Sequence, residues 1–487
     1  DLNSTININN TQFIRNSNGE GVYLQTFRYC YVRLVEVLSL GNSQNGALFT
    51  RLSDTRLNFS SCKFDGNSNQ GVYADYFFRG GLKLERISTS NNYKSGYAFE
   101  FGDTNINIES SSSFGNGRDG FYVENQGGEV VLKDFIAGGN KRQGLWFLDT
   151  KSARLRSVHL LNCNVSGNSQ YGVLFYLTYR IDQRPENYVI KVANSTIFNN
   201  SLAGCKIYPS NCGWGNDRWQ RSVQLLFTGN KVKGNKKNGL DILGPEWYVL
   251  SAVLANNIYY ENSGLALIVR HGRRCSYENS LPFNLQVSSN IFSKNKGENI
   301  FFVDCETLPT KCRVTIRNNT FLDNQRIRLF SSNYLRTKTQ AVLAVKGGNV
   351  TIKYNSFINP LFSHELAALL KDREHVLLAE ENWWGTRDEC KIKDRVFDFE
   401  DRVELAQIQY YPFLDSYNST GSKLYDSVRP FCFLRGNKLG GTLNQVLNIT
   451  NQIYTYQAVS DVTILLDRSE EHTSELQSRG LISYAVF

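Results

Sequence analysis

One short phrase returns along this chain: GNSNQGVY at residues 66–73, then GNGRDGFYV, GNKRQGLWF, GNSQYGVLF and GNKKNGLDI. Aligning every N-x-x-x-G that precedes an apolar alternation puts the glycine at Gly46, Gly71, Gly96, Gly120, Gly144, Gly172, Gly204 and Gly239, with variants at Gly21 and Gly264. The spacing runs from 24 to 35 residues. A period of that size signals a solenoid, because a propeller blade needs about 40 residues.

Each period has one grammar, seen in LNFSSCKFDGN (57–67) and VTIRNNTFLDN (314–324): a strand, a polar turn, an apolar knob, a second turn, then glycine and another strand. Alternate residues after each glycine are apolar, as in Val22/Leu24, Val72/Ala74, Phe121/Val123, Val173/Phe175 and Leu265/Leu267. Such columns are covered only when equivalent strands of successive periods stack. The expected fold is therefore all-β, a right-handed parallel β-helix of the pectate-lyase-like kind with about thirteen coils. Glycine at the corner is expected to take φ > 0, and asparagine to tolerate the same region. Asn230, Asn257, Asn290, Asn319 and Asn355 stand two residues before the knob, where stacked amides can bond along the solenoid. Earlier coils place Thr11, Cys62, Ser112, Cys163 and Ser195 there.

Insertions lengthen the later periods after the post-glycine strand, in segments 176–188, 209–221, 271–282, 304–312 and 331–340. Loops from equivalent corners line one face, and these hold Trp214, Trp219, Tyr188, Arg273 and Arg274. Asp182, Glu186, Asp304 and Glu306 fall on different coils, and FDFED (397–401) reads as an exposed acidic turn. No catalytic, cofactor-binding or metal-binding residue is therefore assigned, and the chain is expected not to be an enzyme. His271 reads as a solvated loop histidine. The run KVKGNKK (231–237) can meet an acidic polysaccharide or a lipid head group, although solvated turn lysines are its ordinary meaning. Nothing points to nucleic acid.

Ten cysteines in 487 residues is about average, so position says more than count. Cys62, Cys163 and Cys205 sit in inward columns as small buried residues, whereas Cys305 with Cys312 and Cys390 with Cys432 are candidate disulfides. The sequons at Asn58, Asn164, Asn194, Asn318, Asn349, Asn418 and Asn448 are candidate glycosylation sites.

A family resemblance is carried by the segment EENWWGTRDECKIKDRVFDFEDRVELAQIQYYPFL (380–414). It resembles the block that ends a β-helix module in the bark beetle (Anakonda) family of large invertebrate transmembrane proteins. Asn382, Trp383, Trp384 and Gly385 open that block as a cap, two tryptophans covering the last coil's apolar columns and strand edges. GNKLGGTLNQVLNITNQIYTYQAVSDVTIL (436–465) resembles the start of a further module. The resemblance implies a β-helix over residues 1–415, a linker over 416–435 and a truncated second module over 436–467. Residues 468–487, opening RSEEHTSELQS, resemble a translated sequencing adapter and are expected not to fold onto the body.

What the resemblance implies about function is an extracellular adhesion or scaffold ectodomain that organises tricellular septate junctions. Its expected partners are other cell-surface or junction proteins, homophilic contacts and glycans, with a membrane anchor outside this segment. The alternative is a carbohydrate-active or carbohydrate-binding β-helix. These separate on one feature: carboxylates converging on a single point would favour the enzyme.

Overall fold

The computed structural model describes residues 4–149, 155–177, 188–209, 221–244, 248–271, 282–306, 311–327 and 340–417, with short strands at 423–424, 462–463 and 485–486. Three strand types alternate in every coil. A first strand such as Arg56–Ser60 turns a polar corner into a three-residue strand, here Lys63–Asp65, and a second corner holding the glycine phrase leads to a third strand. Thirteen short strands, from Gln12–Ile14 to Ser356–Ile358, form one parallel sheet, so the coil number agrees with the repeat. First and third strands pair with their own kind in adjacent coils. They merge into one 26-stranded assembly because Val72–Glu85, Tyr97–Glu109 and Phe121–Lys133 run unbroken through the third corner.

Alternate side chains point inward, and one continuous core runs the length of the rod. One inward column reads Val22, Ala47, Val72, Tyr97, Phe121, Leu145, Val173, Cys205, Leu240, Leu267 and Phe301. Leu267 pairs with Leu240, so Ala266 takes the place expected for Gly264, and Leu265 lies outside the main core. The knob two residues after the first corner becomes a file of rings in the later coils: Tyr259, Phe292, Phe321, Phe357 and Trp384 stack at 4.7–5.0 Å and within 16° of parallel.

The glycine of the phrase has a different reason from the one expected. Its φ is not positive; a Cβ on Gly71 would stand 2.7 Å from the Gly96 carbonyl and 2.9 Å from the Asn92 amide. Close approach of successive coils excludes any side chain there. The left-handed position lies just before the asparagine, at Gly66 (φ 64°), Asn91 (φ 53°) and Gly167 (φ 63°).

Beyond the last complete coil, Val376–Leu378 adds to the first-strand sheet and Gln407–Gln409 adds to it in turn. The helix Glu389–Asp394, capped by the Asp388 side chain, leads to Val396–Phe397, which pairs with Leu366–Ala367. FDFED is not an exposed turn: Asp398 is buried and accepts from the Ile408 and Glu400 amides at 3.0 Å each. At the far end of the chain, Val462–Thr463 pairs antiparallel with Ala485–Val486.

Candidate functional site

The described corners carry two files of asparagine. At the first corner, Asn230, Asn257, Asn290, Asn319 and Asn355 each donate their side-chain N–H to the next Oδ1, at 2.9–3.1 Å, and Asn355 passes the file to Asn382. Each amide also reaches back, as Asn290 Nδ2 does to the Leu254 carbonyl at 2.9 Å. Ser195 continues the position upstream, and Ser111, not Ser112, holds it two coils before Cys163; the Ser111 hydroxyl accepts from the Ile87 amide. Cys62 and Cys163 send their thiols to the Leu34 and Leu132 carbonyls, the direction the asparagine amides take. Burial pushes the Cys163 thiol up to about 12.

The second file is the asparagine of the returning phrase itself. From Asn42 through Asn67, Asn92 and Asn116 to Asn324 and Asn359, one amide per coil donates to the next. Its sequence signal was plain, yet the residue read as a turn former and not as a ladder. The file ends on a buried carboxylate: Glu365 accepts the Asn359 backbone amide at 2.9 Å and its Nδ2 at 2.8 Å, with the Arg395 guanidinium alongside. Burial raises the Glu365 carboxyl, and Arg395 opposes that shift.

At the cap the two tryptophans divide. Trp384 is buried on Phe357, with Tyr410 against its edge, whereas Trp383 is half-buried and contributes a backbone bridge to Ser356. Gly385 has φ 77°. Cys305 and Cys312 form a disulfide, buried beneath Gly348. Cys390 is disulfide-bonded as well; its partner, Cys432 and the sequons Asn418 and Asn448 lie outside the described residues. So do Trp214, Trp219, Arg273, Arg274, Asp182 and Glu186. His271 ends a third strand. Asn194, Asn318 and Asn349 are exposed at corners, Asn58 donates to the Tyr31 hydroxyl at 3.2 Å, and the Asn164 Oδ1 is buried without a partner.

On the outward side of the third strands, Asp75, Glu100 and Glu124 occupy one column of three successive coils. Tyr73 donates to Glu100 at 3.1 Å and Tyr122 donates to Glu124, with Ala98 buried between the two tyrosines. Burial raises the carboxyls of Asp75 and Glu100. Among the described residues no three metal-ligating side chains converge.

The fold and this outward face define a parallel β-helix protein, and residues 1–159 match the family model described as "Right handed beta helix region". The chain is 25% identical over 272 residues to Protein bark beetle of Drosophila melanogaster; the match covers 52% of this chain and 8% of that one. Over that stretch it is similar to Protein bark beetle, and its fold is a parallel β-helix. The chain thus aligns with a small part of its curated relative's length. Among solved structures it is similar to the A-module of the Azotobacter vinelandii mannuronan C-5 epimerase AlgE6 at 12% identity, TM-score 0.43, covering 85% of this chain and 89% of that one. It is also similar to pectate lyase Pel9A at 13% identity, TM-score 0.21, covering 72% and 69%. These likenesses are of fold. The expectation that the chain is not an enzyme is not upheld: solved structures similar to it include epimerases and a lyase, at identities and TM-scores that assign no activity to this chain. No helix among the described residues is long and apolar enough to cross a membrane.

Proposed function

We propose that this chain is part of an extracellular adhesion or scaffold ectodomain that organises epithelial junctions where three cells meet. The similarity to Protein bark beetle over half the chain carries the reading. Two further features support it: the disulfides at Cys305–Cys312 and Cys390 suit an oxidising compartment, and three sequon asparagines stand exposed at corners. In this reading the partners are cell-surface proteins, a second copy included, and a membrane anchor lies in the longer protein. The test is to express the secreted chain fused to a membrane anchor in polarised insect epithelium. Enrichment at three-cell vertices, and clustering of beads coated with the chain and junction ectodomains, are expected. Uniform membrane staining with no bead clustering would remove the reading.

A second reading, a polysaccharide-directed β-helix, is favoured by one observation: the raised carboxyls of Asp75 and Glu100 beside Tyr73. Release of unsaturated or epimerised sugar from acidic polysaccharides by the wild-type chain, and its loss in Glu100→Gln, is the result that would support it.

A further inference from the structure

Three cations stand in one backbone column at the second corner of successive coils. The Arg118 amide donates to the Lys94 carbonyl at 3.0 Å, and the Arg142 amide donates to the Arg118 carbonyl at 2.9 Å. The column runs on through Gln170 and Leu202 to Lys237, and Lys141 and Lys236 flank it. Parallel stacking brings such side chains within about 5 Å of one another per coil, a repulsive arrangement unless an anion lies across it.

None of these cations enters an ion pair among the described residues. Some cations elsewhere on the rod do pair: Arg79 with Asp54, Lys83 with Glu85, Lys133 with Glu109 and Lys353 with Glu380. Asp119 lies beneath the column, but it is buried and its carboxyl is raised by that burial, with Arg142 and Arg118 acting against the shift.

Aromatic rings line the same strip. The Arg142 guanidinium lies 4.8 Å from the Trp146 ring, Tyr122 lies 4.8 Å from Trp146, and the Lys206 ammonium sits 5.3 Å from Tyr171 and 5.0 Å from Tyr208. Flat apolar faces beside a row of cations suit a ligand that alternates ring C–H faces with negative groups. A phosphatidylserine head group offers charge without a ring to stack.

We propose that this strip binds a linear sulfated or carboxylated polysaccharide laid along the axis of the rod. It requires neither the junction reading nor the catalytic one, since a purified chain either binds such a polymer or does not.

The probes are heparin-derived oligosaccharides, polygalacturonate oligosaccharides and phosphatidylserine vesicles, titrated at about 0.15 M salt and at higher salt. At least one glycan is expected to bind and to weaken as salt rises; which one binds identifies the anion. Replacing Lys94, Arg118 and Arg142 together by serine should lower that affinity by about tenfold or more. The matched control, Arg33→Ser with Arg56→Ser and Lys83→Ser on another face, should change it by less than about threefold. Trp146→Ala should weaken glycan binding while leaving any vesicle binding unchanged. Circular dichroism confirms folding of each variant. Failure to bind either glycan, an equal loss in the control triple, or binding to vesicles alone overturns the proposal.

Discussion

From Val37 to Ser195 the first corner carries valine, cysteine, isoleucine, serine and phenylalanine; from Asn230 onward it carries asparagine in every coil. The rings change at about the same place. In the early coils most core rings meet tilted or edge-on, as Phe49 meets Phe59 at 43° and Phe121 meets Phe135 at 71°, with Phe147 on Phe175 an exception at 12°; from Tyr259 on the knob rings lie flat in one continuous file. The third corner differs too: early strands run through it, and later periods take their inserted segments there. The early coils are held by irregular apolar packing with one amide file, the later coils by two amide files and a ring stack. A uniform stack tolerates interruption at one corner because the other two stay in register. The same uniformity should make it less forgiving of a single missing member.

The sharpest way to break this comparison is at the cap. Trp384→Ala removes the last ring of the file and leaves a cavity against Phe357, at a cost of about 3–5 kcal/mol. Hydrogen exchange should rise in residues 314–360 while protection near Gly71 holds, since a solenoid's stability is a sum of neighbour terms. Trp383→Ala, on the half-buried neighbour, should cost less than about 1 kcal/mol. Equal losses from the two would mean that the rings do not act as a file.

Asn290→Ala tests the amide file from inside. It deprives the Asn257 amide and backbone N–H of their acceptor and the Leu254 carbonyl of a donor, all buried. About 2–4 kcal/mol is expected from denaturant unfolding.

A pH dependence sharpens the account of the cap. Burial pushes the Asp398 carboxyl up to about 6 from its ordinary 3.8. A carboxyl that holds its proton more tightly in the folded state costs stability once ionised, so the cost is full above about 6 and vanishes below 3.8. Stability should therefore fall by about 1–3 kcal/mol as pH rises through that window. Asp398→Asn should flatten this part of the profile, and an unchanged profile would place the titration elsewhere.

The smallest effect belongs to the irregular half. Cys62→Ala removes one thiol from a corner whose neighbours are not part of a file, and should cost about 1 kcal/mol. A loss as large as that of Asn290→Ala would erase the distinction between the halves.

How much of this was legible follows from what repeats. Period, coil number and inward columns are set by spacing and alternation, which a single sequence displays. The positions of Asn230 to Asn355 stand out because they precede a knob at constant distance. The second asparagine file was hidden by its own regularity: asparagine beside glycine has an ordinary local meaning in a turn, and only adjacency of coils separates a turn former from a member of a chain. For the same reason the glycine of the phrase was given a backbone angle when its cause is a carbonyl 2.7 Å away in the next coil. Ser111 and Ala266 were displaced by one and two residues because small polar or small apolar neighbours fit the pattern equally well. Nothing in the sequence tied Glu365 to Arg395 or to Asn359, which lie 30 and 6 residues away from it.

The second amide file has a direction as well as a register. Every asparagine from Asn42 to Asn324 donates one Nδ2–H toward the carboxyl-terminal end and accepts on Oδ1 from the other side, so the side-chain to side-chain bonds of the file all run one way. Their positive ends accumulate at Asn359, where the structure sets a buried carboxylate. The file is thus directional along the axis of the rod. Reversing the charge at its foot, by exchanging Glu365 for lysine, would set the whole file against its own terminus.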